Sequence, residues 1–97
     1  MIKIIIKNNS IEISGHANFN DNGKDIVCAS VSSIIYTTVN GILNIDDKAI
    51  KFNDNKIMTI EILKKDKVTN KLINNMIILL EDLEKQYPEN IKISKGE

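Results

Sequence analysis

A chain of 97 residues has room for one domain, over residues 1–97, and excludes a two-domain protein. Thirteen Lys balance thirteen Asp and Glu, so no net positive field favours nucleic acid or anionic lipid as a partner. Because no unbroken apolar run exceeds five residues, where a membrane span needs about 20, and no leader pattern or cysteine pair occurs, we predict a cytoplasmic protein without a membrane segment.

The sequence opens with two predicted strands. Residues 1–7 are rich in Ile, whose β-branched side chain favours a strand, and the two Asn at 8–9 suit a tight turn. Residues 10–17 alternate between apolar and polar side chains, which is the pattern of a half-buried strand. Residues 18–24 are polar and aperiodic, and we predict that they form a loop.

A long helix is predicted over residues 26–42. Asp25 is its expected N-cap, and Gly41 and Asn44 are its expected terminators. The apolar stripe that defines the helix recurs with a period of about 3.6 residues. Its members are Val27, Val31, Ile34, Ile35, Thr38, Val39 and Ile42.

The second half repeats this arrangement of strands and helix. Two strands are predicted at residues 49–53 and 56–64, joined by a turn at 54–55, and a short strand at 90–94. Between them, residues 68–86 show a helical apolar period. Such hairpins interleaved with amphipathic helices, in the order ββ-α-ββ-α-β, predict an α+β domain with an antiparallel or mixed sheet and both helices on one face.

The second helix carries its own start and stop signals. Asp66 is a possible cap just before its apolar pattern, and Pro88 stops it just beyond Tyr87. These signals agree with the boundaries that the periodicity gives.

His16 and Cys28 are the only His and the only Cys of the chain, and they flank the predicted loop. An imidazole and a thiol are the side chains most readily made reactive near neutral pH, so we predict a catalytic dyad. With Asp25 as N-cap, Cys28 would occupy the third helical position, where unpaired N–H groups favour a thiolate and could stabilise an oxyanion. Ser32 lies one turn later on the same face. One His and one Cys are too few for a zinc site, and we predict no metal or cofactor.

Two questions stay open from the residues alone. Asp25 either caps the helix or orients His16, because a Cys28 N–H bonded to the cap cannot also serve an oxyanion. Taken singly, Cys28 is more often an inert core side chain, and His16 a hydrogen-bonded structural one.

The residues around the pair resemble the ribosomal-processing cysteine protease, or Prp, family. The blocks that carry the resemblance are Gly15-His16-Ala17, Gly23, Asp25-Ile26-Val27-Cys28-Ala29 and Val31-Ser32, with similar stretches at 39–42 and 87–91. The resemblance implies a cytoplasmic endopeptidase that removes an N-terminal extension from large-subunit ribosomal protein twenty-seven. It also implies a homodimer and a mobile loop at 18–24.

The same resemblance assigns roles to individual residues. It implies that Cys28 is the nucleophile and His16 the general base, with Gly15, Asp25 and Ser32 in supporting positions. Since it also implies aromatic residues at the end of the extension, we predict that Phe19 and Tyr36 line an apolar groove for them, although ordinary packing would explain both equally well.

Two alternatives follow from other uses of the same residues. One is a non-enzymatic module that binds a ribosomal protein or assembly factor, with Cys28 merely buried. The other is a thiol-redox sensor, which needs a reactive Cys28 but no His16.

Overall fold

Strands and helices follow one another in the predicted order ββ-α-ββ-α-β. The computed structural model describes residues 1–15 and 22–96, with the side chains of 22–25 left out of the description. The strands are β1 (Ile2–Ile6), β2 (Ser10–Ser14), β3 (Ile50–Asp54), β4 (Met58–Ile62) and β5 (Ile91–Lys95), and the helices are α1 (Asn22–Ile45) and α2 (Lys67–Gln86). The predicted α+β class is confirmed.

The strands form one mixed sheet in the order β3-β4-β2-β1-β5. Neighbours are antiparallel except β1 and β5, which run parallel. Ile4 lies opposite Ile13, and Ile11 opposite Ile60, and residues opposite each other point to the same side of a sheet. Their Ile side chains therefore form one continuous apolar face. The other face carries polar residues such as Glu12 and Glu61.

Both helices bury their apolar stripes against that face. The buried residues of α1 are Val27, Val31, Ile35, Val39 and Ile42, and the buried apolar residues of α2 are Ile73, Met76 and Leu80. They join the strand side chains in a single core. The periodic patterns in the sequence thus identified the faces that pack together.

Within the described residues, the segment Ile26–Ile45 is long and apolar enough to cross a membrane by length and composition. The core helix of a compact protein has the same two properties. Since Val27, Val31, Ile35, Val39 and Ile42 of this segment are buried in the shared core, packing accounts for part of its apolar character, while Ile26 and Ile45 are exposed.

The two ends of α1 differ from the prediction. The helix begins at Asn22 and ends at Ile45, so residues 22–24 belong to it and not to the predicted loop. Asp25 also lies inside the helix, and its prediction as the N-cap is wrong. The predicted terminators Gly41 and Asn44 also lie inside the helix, although a helical Gly such as Gly41 costs roughly 1 kcal/mol relative to Ala. Burial of Val39 and Ile42 on either side of it outweighs that cost.

In α2 the local signals and the structure agree. The carboxylate of Asp66 accepts a hydrogen bond from the backbone N–H of Thr69 at 2.8 Å, which makes Asp66 the N-cap. At the other end, the N–H of Tyr87 bonds to the carbonyl of Leu83 at 2.9 Å. Pro88 follows, and the helix ends there as predicted.

Glu84 of α2 forms a hydrogen bond that holds the edge strand β5 against the helix. Its carboxylate accepts the backbone N–H of Ile93 at 2.8 Å, and β5 has a neighbouring strand on one side only. Because a hydrogen bond to a charged group is lost, Glu84→Ala is expected to lower the free energy of unfolding by about 1–3 kcal/mol in urea denaturation. Asp82→Ala, at an exposed acidic residue of the same helix, is the control and should change it by less than about 0.5 kcal/mol. Equal effects of the two variants would contradict this role of Glu84.

Candidate active site

Cys28 lines a cleft of about 260 Å³ between α1, the start of β1, the end of β2 and the turn that joins β3 to β4. Its side chain is half-buried and packs against the hydrophobic core. The residues that line the cleft are Ile2, Ile13, Gly15, Cys28, Val31, Ser32, Asp54, Asn55, Lys56 and Met58. A thiol therefore stands in a cleft with an apolar floor and a polar rim.

The structure brings three of the predicted site residues together. Cys28 and Ser32 are four residues apart on α1, which places them on neighbouring turns of the same helix face. Gly15 reaches the cleft from the end of β2. Of the other predicted residues, His16 and Phe19 lie outside the described residues, and the side chain of Asp25 is not described.

The position of Cys28 along α1 corrects one part of the prediction. Because the helix begins at Asn22, Cys28 lies in its second turn and not at the third helical position. In the second turn the backbone N–H groups are bonded within the helix, and the macrodipole acts mainly over the first turn. The helix start thus does not supply the unpaired N–H groups that were expected beside the sulfur.

Gly15 is required by the backbone. Its φ is +81°, a left-handed conformation that residues with a Cβ rarely adopt. A Cβ at this position would also overlap the carbonyl oxygen of Met1. The chain can therefore pass this close to the start of β1 only with glycine.

Gly15→Ala is expected to lower the free energy of unfolding by about 1–3 kcal/mol, because both the φ value and the overlap with Met1 must be relieved. Thermal or urea denaturation measures this change in the free energy of unfolding. Gly41→Ala is a control of opposite sign: a Cβ there meets nothing within 4 Å, and the helix should gain about 0.5–1 kcal/mol. If both substitutions stabilised the protein, the strain assigned to Gly15 would be wrong.

Tyr36 lies next to the cleft and does not line it. Its hydroxyl donates a hydrogen bond to the carboxylate of Asp54, and Asp54 does line the cleft. Its ring meets the ring of Phe52 edge to face, with centroids 5.5 Å apart and planes at 83°. The hydrogen bond to Asp54 raises the pKa of Tyr36 above its ordinary value, with burial and the negative charge of Asp54 acting in the same direction.

The β3–β4 turn is the part of the site that sequence reasoning missed. Asp54, Asn55 and Lys56 form the polar rim of the cleft. The turn itself was predicted from Asp54 and Asn55, but no local pattern indicates that it lies beside Cys28. That proximity arises from the sheet order, which sets β4 next to β2. For residues 1–15 and 22–96, no group of three or more His, Cys, Asp or Glu could hold a metal ion.

The chain is similar in sequence to proteins of one known family. The sequence model of the family described as Cysteine protease Prp matches residues 1–92. The chain is 36% identical over 98 residues to the ribosomal processing cysteine protease Prp of Mycoplasma genitalium. The alignment covers 98% of this chain and 96% of that protein.

Two crystal structures of the Prp protease from S. aureus have the same fold. The structure in complex with a substrate peptide has a TM-score of 0.89 at 23% identity, and covers 99% of this chain and 100% of the other. The structure with a covalently linked product peptide has a TM-score of 0.87 at 24% identity, with the same coverage. Taken with the sequence matches over nearly the whole chain, these findings show that the chain belongs to the ribosomal processing cysteine protease Prp family and is a cysteine protease.

Proposed function

We propose that Cys28 and His16 form a catalytic dyad that removes the N-terminal extension of large-subunit ribosomal protein twenty-seven. The main support is the position of Cys28 in a cleft that Gly15 also lines. His16 follows Gly15 directly in the sequence. A second support is that the S. aureus relative has been crystallised with a covalently linked product peptide.

The proposed reaction is acyl transfer through sulfur. The thiolate of Cys28 attacks the scissile carbonyl carbon, and the C–N bond breaks as His16 protonates the leaving amine. The acyl group then remains on sulfur as a thioester. Water, deprotonated by His16, attacks that carbonyl and releases the second product and the Cys28 thiolate. Gly15, Asp25 and Ser32 have supporting roles. Gly15 allows the backbone to pass close to Met1, and Ser32 lies one helical turn after Cys28.

The lining of the cleft supports a peptide with an apolar residue near the cut. Ile2, Ile13, Val31 and Met58 form its floor, and burying an aromatic side chain against such a floor supplies binding energy. This suits an extension that ends in aromatic residues, as the resemblance implies. Phe19 stays a predicted lining residue of that groove, whereas Tyr36, which was predicted to line it, lies beside the cleft and contacts Asp54.

We also propose that the protein works in the cytoplasm as a homodimer, without direct contact to nucleic acid. The zero net charge agrees with the last point. Ile26, Ile78 and Leu79 are large apolar side chains exposed on the helices, and an interface between two copies would cover such residues. Light scattering during size-exclusion chromatography would detect a dimer.

Because the chain belongs to a protease family, the alternative of a non-enzymatic binding module is rejected.

The experiment for the proposed function uses full-length ribosomal protein twenty-seven with and without its extension. Mass spectrometry after incubation should show one cut in the extended protein, whose mass falls to that of the mature form. An extended protein that stays intact, or is cut elsewhere, would overturn the substrate assignment. The Ser33→Ala variant should make the same cut as the wild-type protein, since Ser33 is exposed on α1 and does not line the cleft.

A further inference from the structure

We infer that the hydrogen bond from Tyr36 to Asp54 fixes the β3–β4 turn as one wall of the Cys28 cleft, and that both are positioning residues for peptide binding. We call residues 54–56 the turn wall. The inference rests on the proposed function, because it assumes that the peptide substrate occupies this cleft.

The spacing of residues along α1 places Tyr36 on the same side of the helix as the site residues. Cys28, Ser32 and Tyr36 follow one another at intervals of four residues, on successive turns of one side of α1. The first two line the cleft, and the third holds Asp54. The helix that carries the thiol therefore also holds the opposite wall.

Asp54 is well placed to transmit this restraint. It is the last residue of β3 and pairs with Met58, the first residue of β4, so it closes the hairpin. Met58 lines the cleft as well. A fixed Asp54 therefore limits where the chain between it and Met58 can lie, which includes Asn55 and Lys56 at the rim.

Beyond the pairing of Asp54 with Met58, the turn wall has few side-chain contacts among the described residues. Asn55, Lys56 and Ile57 are exposed, and within the described part of the chain none of their side chains has a hydrogen-bond or ion-pair partner. Such an exposed turn is free to move unless a specific contact holds it. The bond from Tyr36 adds such a contact to the strand pairing, and the edge-to-face contact with Phe52 holds the Tyr36 ring in place.

The bond is also stable at working pH. A phenol is protonated, and therefore able to donate, at neutral and mildly alkaline pH, and the bond to Asp54 shifts the pKa of Tyr36 further upward. The acceptor is a carboxylate, which makes the bond charge-assisted.

Tyr36→Phe removes the hydroxyl and keeps the ring against Phe52. With a peptide that spans the extension of ribosomal protein twenty-seven and the cut, KM is expected to rise about 3- to 10-fold, the effect of one lost hydrogen bond. The value of kcat and the rate at which iodoacetamide alkylates Cys28 should stay within about twofold, because the reacting groups are untouched. Backbone amides of residues 53–57 should exchange hydrogen faster. Tyr87→Phe removes the same atom from a residue that does not line the cleft, and should change none of these values.

Variants of Asp54 separate positioning from direct contact with the peptide. Asp54→Ala should raise KM as Tyr36→Phe does, and the double variant should be no worse than Asp54→Ala alone. Asp54→Asn keeps an acceptor and should recover most of the KM lost in Asp54→Ala. If the two single effects add in the double variant, or if Asp54→Asn behaves like Asp54→Ala, then Asp54 acts on the peptide by its charge and the inference is overturned.

The remaining outcomes keep this inference apart from the proposed function. A wild-type protein that cleaves the peptide, with an unchanged KM in Tyr36→Phe, overturns the inference and leaves the proposed function standing. A wild-type protein that does not cleave the peptide refutes the proposed function, and the inference with it. Faster exchange at 53–57 without a change in KM shows that the bond holds the turn but not the substrate, which also overturns the inference.

Discussion

Cys28→Ala and His16→Ala are each expected to lower kcat/KM for the extended ribosomal protein on the order of 10⁴- to 10⁶-fold, as when one member of a catalytic unit is removed. Without the sulfur no thioester can form. Without the imidazole, no other His in the chain can protonate the leaving amine. Single-turnover cleavage followed by mass spectrometry measures both rates, and thermal denaturation checks that each variant is folded.

The pattern of the two losses decides between mechanisms. Because the two residues act as a unit, the double variant should be little slower than either single one. A His16→Ala variant that cleaves at close to the wild-type rate would refute the dyad, since a redox-active or unassisted thiol needs no His16. Ser33→Ala provides the matched control on α1.

Ile60→Ala is expected to have the largest effect on stability. Ile60 is fully buried in β4, opposite Ile11 of β2 and Phe52 of β3. Truncation removes apolar contacts and leaves a cavity, which costs about 2–5 kcal/mol for this type of change. A domain of this size has a free energy of unfolding of only about 5–15 kcal/mol. Urea denaturation should therefore show a much lower midpoint with an unchanged slope.

Ile57→Ala tests whether burial is the cause. Ile57 is the same residue type in the same hairpin, but half of its surface is exposed (50%). Its truncation should cost less than about 1 kcal/mol. Similar losses of stability in Ile57→Ala and Ile60→Ala would mean that burial is not the cause of the effect at Ile60.

Patterns with a strict period were enough to predict most of the fold. Alternation placed Ile11 and Ile13 on the inner face of β2, and the helical stripe of α2 gave its boundaries to within a residue. The start of α1 was predicted wrongly because a helix can extend beyond its apolar stripe, and the polar residues from Asn22 onward give no periodic signal. The parallel pairing of β1 with β5 has no local signature either, since it depends on how the whole chain closes.

The site was predictable where it lies within one element. The spacing of Cys28 and Ser32 on a single helix already placed them together, and the structure puts both in one cleft with Gly15. The turn wall could not be predicted, because Asp54 to Lys56 reach the thiol only through the order of the strands. The part of the dyad that depends on His16 stays a prediction, as does the role of Phe19.

The parallel pair also bears on when the cleft forms during synthesis of the chain. Ile2 lies opposite Ile91, and its backbone N–H bonds to the carbonyl of Asn90 at 2.8 Å. Ile2 is also part of the floor beneath the thiol. A nascent chain whose residues 90–95 are still inside the ribosomal exit tunnel cannot dock β5 beside β1, and so cannot secure that floor. We therefore expect the floor of the cleft to form only after residues 90–95 have left the tunnel.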